Sequence, residues 1–193
     1  MSIRTIIAVL AATSMSLLSA HAQEYERPDQ GNEWWWDQDW WEAGKLEAPV
    51  THSVRTEWVE YANGETSVPA LVARPDDGQS YPGVLFQHGR RGLDDLIQAH
   101  VVRLAARGFL VVAPDVFTAR FIERFPIVHD PATETDVDAG VDYVLSRQDL
   151  SGNKICLYSH TRGGYYTLRV AVTFERQARD VACYVSYYPH MQN

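Results

Sequence analysis

The chain has 193 residues, of which 46% are hydrophobic and 22% are charged, and it carries only two cysteines. This composition is ordinary for a globular protein and excludes collagen-like, wholly disordered and disulfide-rich scaffold proteins. The formal net charge of −8 argues against a nucleic-acid partner, because the phosphates of nucleic acids require clustered lysine and arginine. No spacing of cysteine and histidine is typical of zinc, and we expect neither a metal nor a cofactor.

Residues 1–22 predict a signal peptide. Met1–Arg4 gives a short positive start, Thr5–Ala20 is mainly apolar, and Ala20-His21-Ala22 fits the small-x-small cleavage signal. The apolar run is too short to cross a membrane comfortably, and no later segment has the length and hydrophobicity to do so. We therefore expect a periplasmic or secreted chain that begins at Gln23 and has no membrane contact after cleavage.

Residues 23–50 form an extension that is rich in tryptophan. Five of the 6 tryptophans lie between positions 34 and 41. One interpretation is that these rings pack on the surface of the following domain. The other is that they stack on a carbohydrate or bind a partner, because exposed tryptophan clusters usually bind something. The sequence favours the first interpretation.

Residues 51–193 predict one α/β domain. Strand-like segments on both sides of Asn63-Gly64 predict an antiparallel hairpin. Strands and helices then alternate, which predicts a three-layer sandwich with a mainly parallel sheet and right-handed crossovers. The later strands are expected at Gly83–Gln87, Phe109–Ala113, Lys154–Tyr158 and Val181–Tyr188, and the helices at about 93–105, 137–145 and 163–176.

The segment after the third of these strands carries the most informative motif. Ser159-His160-Thr161-Arg162-Gly163 aligns with G-x-S-x-G, in which a tight turn from strand to helix lifts a nucleophile above the sheet. Thr161 occupies the nucleophile position, and Ser159 replaces the first glycine. Since ligands of such sheets bind beyond the carboxyl ends of the strands, the motif predicts a site at this edge.

Around this motif the chain resembles the dienelactone hydrolase family of α/β-hydrolases. The resemblance covers roughly residues 53–188, and its most similar segments are Gly83–Gly89, Leu104–Asp115, Asp138–Leu145 and Ser151–Ile155. It implies the α/β-hydrolase fold and the hydrolysis of carboxylic ester or lactone bonds in a small-molecule substrate.

The resemblance also implies roles for individual residues. Thr161 would be the nucleophile, although its extra methyl group crowds the turn. The backbone N–H groups of Arg162 and Arg90 would form the oxyanion hole. At the same edge of the sheet, His88, Arg91 and Asp115 are expected to line the substrate site, and hydrogen-bonding support of the oxyanion loop is favoured over catalysis for His88.

The side chains of three arginines leave two interpretations open. Arg90, Arg91 and Arg162 would place positive charge around the mouth of the site and favour a substrate that carries a carboxylate. Alternatively, they pair with nearby aspartates, namely Asp94, Asp95 or Asp115. Arginine suits both roles equally well.

The rest of the triad is not found in the sequence. The family order is nucleophile, acid, histidine, but the acids after Thr161 are Glu175 and Asp180, both in or beside the predicted helix. His190 is a weak candidate for the base, and a free histidine near the chain terminus is the favoured alternative. His160 is expected to pack rather than react.

The chain is also short for this fold. About 140 residues follow the extension, whereas larger single domains of this kind need roughly 200 or more. We therefore expect a C-terminally incomplete or degenerate copy in which the last strands are missing. Its strand at 181–188 would then lie at the sheet edge and promote self-association.

Two functions remain open at this point. The first is a secreted dienelactone-hydrolase-type enzyme with impaired activity, and the alternative is a non-catalytic ligand- or partner-binding protein on the same scaffold.

Cys156 and Cys183 fall on adjacent predicted strands. A bridge between them is conceivable in an oxidising compartment, but the sequence favours buried free thiols.

Overall fold

The computed structural model describes residues 52–190, which lie within one structural unit, Ala48–Asn193. The predicted signal peptide and the tryptophan-rich extension lie outside the described residues.

A six-stranded sheet forms the centre of the described region. Its strands are β1 (Val54–Asn63), β2 (Thr66–Pro75), β3 (Tyr81–Gln87), β4 (Leu110–Pro114), β5 (Leu150–His160) and β6 (Val181–Tyr187), in the spatial order β1-β2-β4-β3-β5-β6. β1 pairs with β2 and β2 with β4 in antiparallel fashion. β4, β3, β5 and β6 are parallel to one another, which confirms the predicted hairpin and mainly parallel sheet.

The central strands are apolar because both of their faces are covered. β4 is buried along its whole length, and β3 is buried from Gly83 to Gln87. Strands buried on both faces have continuous apolar runs instead of the alternation of a half-exposed strand. The short apolar segments of the sequence therefore mark the middle of the sheet.

Helices cover both faces of the sheet, as the three-layer prediction requires. They are α1 (Asp95–Ala105), α2 (Val116–Ala119), α3 (Ala132–Leu145), α4 (Gly163–Leu168) and α5 (Arg176–Arg179). The buried residues form two clusters: one joins α1 to Leu71, Val84 and Phe86, and the other joins α3 and α4 to Val72 and Leu85. α1 begins where the Asp94 carboxylate accepts a hydrogen bond from Ile97 N at 3.0 Å.

The helix predicted at about 163–176 is wrong in its extent. α4 ends at Leu168, and a π-helical turn follows at Arg169–Thr173. The helical conformation is then interrupted before α5 begins. Glu175 has a φ of +59° there, a left-handed conformation that ends helical propagation. The apolar pattern continued across this break, and periodicity alone could not reveal it.

The preference for free thiols is also wrong. Cys156 and Cys183 form a disulfide between β5 and β6, with their Cα atoms 4.5 Å apart. The two residues are direct register partners on neighbouring strands. Adjacency was predicted, but the side-chain directions that allow the bond depend on the register of the strands.

Among the described residues, we find no helix with the length and apolar character needed to cross a bilayer.

Candidate functional site: the turn after β5

The turn between β5 and α4 has the backbone geometry that the motif predicts. Thr161 has a φ of +48°, although it is β-branched and such residues avoid the left-handed region. Conformations of this kind cost on the order of 1–3 kcal/mol and persist where the surroundings enforce them, often at functional sites. The strain therefore marks Thr161 as a residue that the fold holds in place.

Small residues after Thr161 allow the turn to approach the end of β3. A Cβ on Gly163 would lie 2.5 Å from the carbonyl oxygen of Gln87 and 2.6 Å from that of His88. A Cβ on Gly164 would overlap Ser186 Oγ and lie 2.8 Å from Pro189 Cβ. Glycine is required at both positions because the neighbouring atoms leave no room for a side chain.

The hydroxyl of Thr161 lies directly over the loop that follows β3. A Cβ on Gly89 would overlap Thr161 Oγ1 and would lie 2.9 Å from the carbonyl oxygen of His160. The side chain of Thr161 itself is exposed. The structure thus brings the predicted nucleophile and the predicted oxyanion loop together at an exposed residue.

The two predicted oxyanion donors remain available. Within residues 52–190, the backbone N–H groups of Arg90 and Arg162 donate no hydrogen bond to the protein. Free N–H groups beside a nucleophile can stabilise the negative charge that develops on a substrate oxygen. Their assignment to an oxyanion hole remains a prediction.

The side chains of these two arginines bind a neighbouring loop. Arg162 is buried and donates to the carbonyl oxygens of Pro126 at 2.9 Å and Ile127 at 3.1 Å. Arg90 donates to Pro126 O and Phe125 O, each at 2.9 Å. The predicted pairing with aspartates is therefore wrong for these two side chains, because their partners are main-chain carbonyl oxygens. Their predicted contribution of positive charge at the mouth of the site stays a prediction.

Arg91 follows one of the two alternatives. Its Nε donates to the carboxylate of Asp94 at 2.7 Å. The pairing alternative is therefore confirmed for Arg91, and its assignment to substrate binding stays a prediction.

His88 contacts the oxyanion loop, and Asp115 lies beside His88. His88 is fully buried, its Nδ1 lies 2.8 Å from Gly89 O, and burial lowers its pKa. This contact supports the predicted positioning role. Asp115 caps α2 by accepting from Thr118 N at 3.1 Å, and it lies 3.8 Å from His88 Nε2. Its carboxylate thus has a structural use, and its predicted place in the substrate pocket stays a prediction.

His160 packs on the other side of the sheet, as expected. Its ring contacts those of Phe86, His100 and Tyr187, with centroids between 5.3 and 5.7 Å apart. Burial, followed by the nearby His100, lowers its pKa to about 4. His160 is therefore neutral at neutral pH and points away from the chemistry of Thr161.

His190 reaches Thr161 through the backbone. His190 N donates to Thr161 O at 2.9 Å, and Thr161 N donates to Tyr187 O at 2.8 Å. Among residues 52–190, however, no histidine or carboxylate side chain hydrogen-bonds the Thr161 hydroxyl.

In the same part of the chain, no group of three or more histidine, cysteine and acidic side chains could hold a metal.

The family model described as Chlorophyllase matches residues 38–189, which is most of the chain. The chain belongs to the chlorophyllase family. None of the curated proteins compared with the chain matches it.

Solved structures show that this member of the chlorophyllase family has the α/β-hydrolase fold. A Klebsiella pneumoniae protein assigned as a dienelactone hydrolase superposes with a TM-score of 0.59 at 18% identity, over 72% of this chain and 61% of that one. A dienelactone hydrolase-like promiscuous phosphotriesterase from metagenomic libraries gives 0.59 at 21% identity, with coverages of 70% and 59%. A Pyrobaculum calidifontis esterase gives 0.56 at 25% identity, with coverages of 70% and 45%.

These superpositions confirm the predicted resemblance to dienelactone hydrolases at the level of fold. The chain spans about three fifths of the length of the first two proteins and less than half of the third.

One feature of the turn was missed by sequence reasoning. Ser159, at the position of the first motif glycine, donates from Oγ to Ser186 Oγ at 3.0 Å and accepts from Thr167 Oγ1 at 3.1 Å. Ser159 and Thr167 are fully buried. In this chlorophyllase-family chain the serine fits because two hydroxyls satisfy it, and its presence in place of glycine was the available signal.

Proposed function

We propose that this chain is a hydrolase of carboxylic ester or lactone bonds in which Thr161 occupies the nucleophile position. The observation that carries the proposal is the strained turn at Thr161, whose hydroxyl lies against Gly89 and whose neighbours along the turn and the β3 loop, Arg162 and Arg90, keep their backbone N–H groups unused. Family membership and the fold of esterases support the same reaction class.

The proposed reaction is a two-step acyl transfer. The Thr161 hydroxyl attacks the carbonyl carbon, and the N–H groups of Arg90 and Arg162 receive the negative oxygen of the tetrahedral intermediate. The alcohol leaves with a proton, and water then releases the acid from Thr161. His190 is the candidate base, because its own backbone is bonded to Thr161.

We propose that turnover is slow in this chain. The extra methyl group of threonine restricts the approach of the hydroxyl to the substrate. In addition, no described side chain, that of His190 included, hydrogen-bonds Thr161 Oγ1. A general base accelerates the reaction about 100-fold to 10,000-fold in typical enzymes. A poorly placed base should therefore lower kcat.

Hydrolysis of p-nitrophenyl esters by the purified chain tests this function. Thr161→Ala should abolish turnover, and Thr161→Ser should increase it because the smaller side chain keeps the hydroxyl and removes the methyl group. Thr56→Ala, an exposed threonine on β1, is the matched control. Turnover that survives Thr161→Ala would exclude Thr161 as the nucleophile.

The substrate is proposed to carry an apolar group. The loop bound by Arg90 and Arg162 exposes several large apolar side chains: Phe121 is 97% exposed, Ile127 87% and Val128 81%. Because the residues that anchor this loop are those of the proposed oxyanion hole, the apolar patch borders the site. An alkyl or ring group of the substrate would bury this surface and gain about 25 cal/mol per Å².

A series of p-nitrophenyl esters of increasing acyl length, together with chlorophyll, tests the apolar substrate. Ile127→Ser combined with Val128→Ser should raise KM for the longer esters while leaving that for acetate unchanged. Val172→Ser, which alters an exposed valine on the π-helical turn, is the control. Equal effects on short and long esters would contradict a role of the loop in substrate selection.

The second candidate function is binding without catalysis. It is favoured by one observation, namely that the Thr161 hydroxyl lacks a side-chain base in the described region. A chain of this kind would retain an ester in the site without turning it over. Saturable binding of a non-hydrolysed ester, with no product released, would favour this function over the hydrolase.

We also propose that the chain is exported and that it self-associates. Export is supported by the sequence of residues 1–22 and by the disulfide, since such bonds persist in oxidising compartments. Self-association is supported by the exposed Tyr184, Tyr187 and Tyr188 at the β6 edge. The N-terminal residue of the mature chain and its sedimentation behaviour test the two proposals separately.

A further inference from the structure

The backbone of Thr161 is hydrogen-bonded to the end of β6 and the segment beyond it. Its N–H donates to Tyr187 O at 2.8 Å, and its carbonyl oxygen accepts from His190 N at 2.9 Å. A threonine at a φ of +48° relaxes to a more favourable conformation unless its surroundings prevent this. The geometry of the turn therefore depends on where β6 ends.

β6 is supported by a single neighbour. It lies at one end of the strand order, and within residues 52–190 only β5 pairs with it. From Ala182 to Tyr184 its residues are exposed. An edge strand of this kind opens more readily than the centre of the sheet, because fewer buried contacts oppose its movement.

Two side-chain links fasten β6 to β5. The disulfide joins the register partners Cys156 and Cys183, and a hydrogen bond joins the register partners Ser159 and Ser186. The linked positions on each strand are three residues apart, so the two links lie on opposite faces of the sheet. The disulfide is the stronger of the two because it is covalent.

We propose that the Cys156–Cys183 disulfide is a positioning element of the turn: by fixing β6 on β5, it holds Tyr187 and His190 against the backbone of Thr161. Breaking the bond lets the carboxyl end of β6 move away from β5. Thr161 then loses its two hydrogen bonds to the β6 end and retains the one that its carbonyl oxygen accepts from Gly164 N at 3.0 Å within the turn. The kinetic part of this inference rests on the proposed hydrolase function, whereas the structural part does not.

Amide hydrogen exchange of the full chain tests the structural part. Dithiothreitol supplies two electrons and two protons, so that the protein gains two thiols and the reagent closes to its cyclic disulfide. Cys183 is exposed, which lets the reagent reach the bond. After reduction, exchange of the Thr161 and His190 amides should accelerate at least 10-fold, while amides of the β1–β2 pairing keep their rates.

Two variants control this measurement. In Cys156→Ala combined with Cys183→Ala, the Thr161 and His190 amides should exchange fast before the reagent is added, and the reagent should change nothing. Tyr61→Phe removes a hydrogen bond to Asp136 O at the other edge of the sheet and tests general destabilisation. It should leave the two amides protected. If the double variant does not fold, the reduced wild-type chain carries the test.

Uniform acceleration of exchange across the sheet, or no change at Thr161 and His190, would overturn the positioning role. In the ester assay, reduction should lower kcat at least 10-fold with little change in KM, and reoxidation should restore it. Selective exchange at Thr161 in a chain without ester turnover would support the positioning role while rejecting the hydrolase function. Unchanged kcat in a chain whose exchange has changed would overturn the kinetic part.

Discussion

At one edge of the sheet, β1 pairs with β2 along its whole length, whereas at the other edge β6 is cross-linked to β5. The first edge is tied to the domain by polar contacts around the fully buried Asp136. Its carboxylate accepts from Arg120 at 2.7 and 2.8 Å and from Asn63 at 2.7 Å. The second edge is tied by a disulfide and by buried hydroxyls.

The difference between the edges follows from what each supports. Asp136 fastens the hairpin to α3, far along the sheet order from the strained turn. The ties of β6 lie next to Thr161 and end in direct contacts with its backbone. Loss of a polar contact of Asp136 at the β1 edge should therefore affect stability alone. Loss of a link between β6 and β5 should affect both stability and the turn.

The largest effect is expected from Arg120→Met, which breaks the pair at the β1 edge. It leaves the buried Asp136 carboxylate with Asn63 as its remaining side-chain donor, and removing one partner of a buried ion pair costs about 3–5 kcal/mol. Urea unfolding measures the loss. Arg55→Met changes an exposed arginine on β1 and should cost little. Equal losses in the two variants would show that the buried pair is unimportant.

Gly163→Ala is expected to have the next largest effect, at the turn itself. The new Cβ would meet main-chain carbonyl oxygens at 2.5 and 2.6 Å, and relieving such overpacking costs about 1–3 kcal/mol. Gly152→Ala separates the effect of space from that of conformation. It introduces the same atom at a φ of +89° with nothing within 4 Å. Ester turnover should fall in Gly163→Ala and remain in Gly152→Ala.

Ser186→Ala should have a smaller effect at the β6 edge. It removes the acceptor of the Ser159 hydroxyl, and a buried hydrogen bond contributes about 1 kcal/mol. Ser67→Ala breaks an exposed hydroxyl contact with Glu60 in the hairpin and should be nearly neutral. Thermal unfolding compares the two variants. A loss in Ser67→Ala as large as that in Ser186→Ala would show that the difference between the edges is unrelated to burial.

The smallest effect is expected from acidification near the β6 edge. The pKa of His160 falls from 6.5 to about 4 on folding, because its ring is buried and His100 lies beside it. The unfolded chain therefore binds a proton more readily, so the stability is complete above pH 6.5 and decreases as the pH falls toward 4. Because the ring is only partly buried, solvent screening limits the change to about 1 kcal/mol or less.

His160→Phe keeps the ring contacts with Phe86, Tyr187 and His100 and removes the titrating group. Urea midpoints measured between pH 4 and 7 should therefore vary less in this variant than in the wild-type chain. The remaining slope reports His88 and His100, whose pKa values burial also lowers, together with Asp142 and Asp149, whose pKa values are lowered by hydrogen bonds from Arg176 and Arg147. An unchanged slope would exclude His160 as a source of the pH dependence.

Much of the fold was predictable because its signals are local. Asn63-Gly64 marked the hairpin, and the apolar segments of β3 and β4 marked the buried strands. The motif around Thr161 located the turn, since small residues are needed wherever the backbone approaches closely. The hydrogen bond of His88 to the oxyanion loop and the packing of His160 were also inferred correctly. Both residues lie at the carboxyl end of a strand, where the sequence already fixes their place.

The rest of the candidate site depends on contacts between distant parts of the chain. The sequence offered aspartates as partners for Arg90 and Arg162, but the folded chain places carbonyl oxygens of residues 125–127 within reach instead. No local pattern shows which loop will lie beside a given side chain.

By itself, the sequence determined the alternation of strands and helices, the hairpin and the place of the strained turn, because these follow from periodicity and from the sterics of short segments. The tertiary structure alone decided that Cys156 meets Cys183, that Ser159 meets Ser186, and that the end of β6 holds Thr161. The physical reason is register: one residue of slip between β5 and β6 would turn every one of these side chains to another partner or the opposite face.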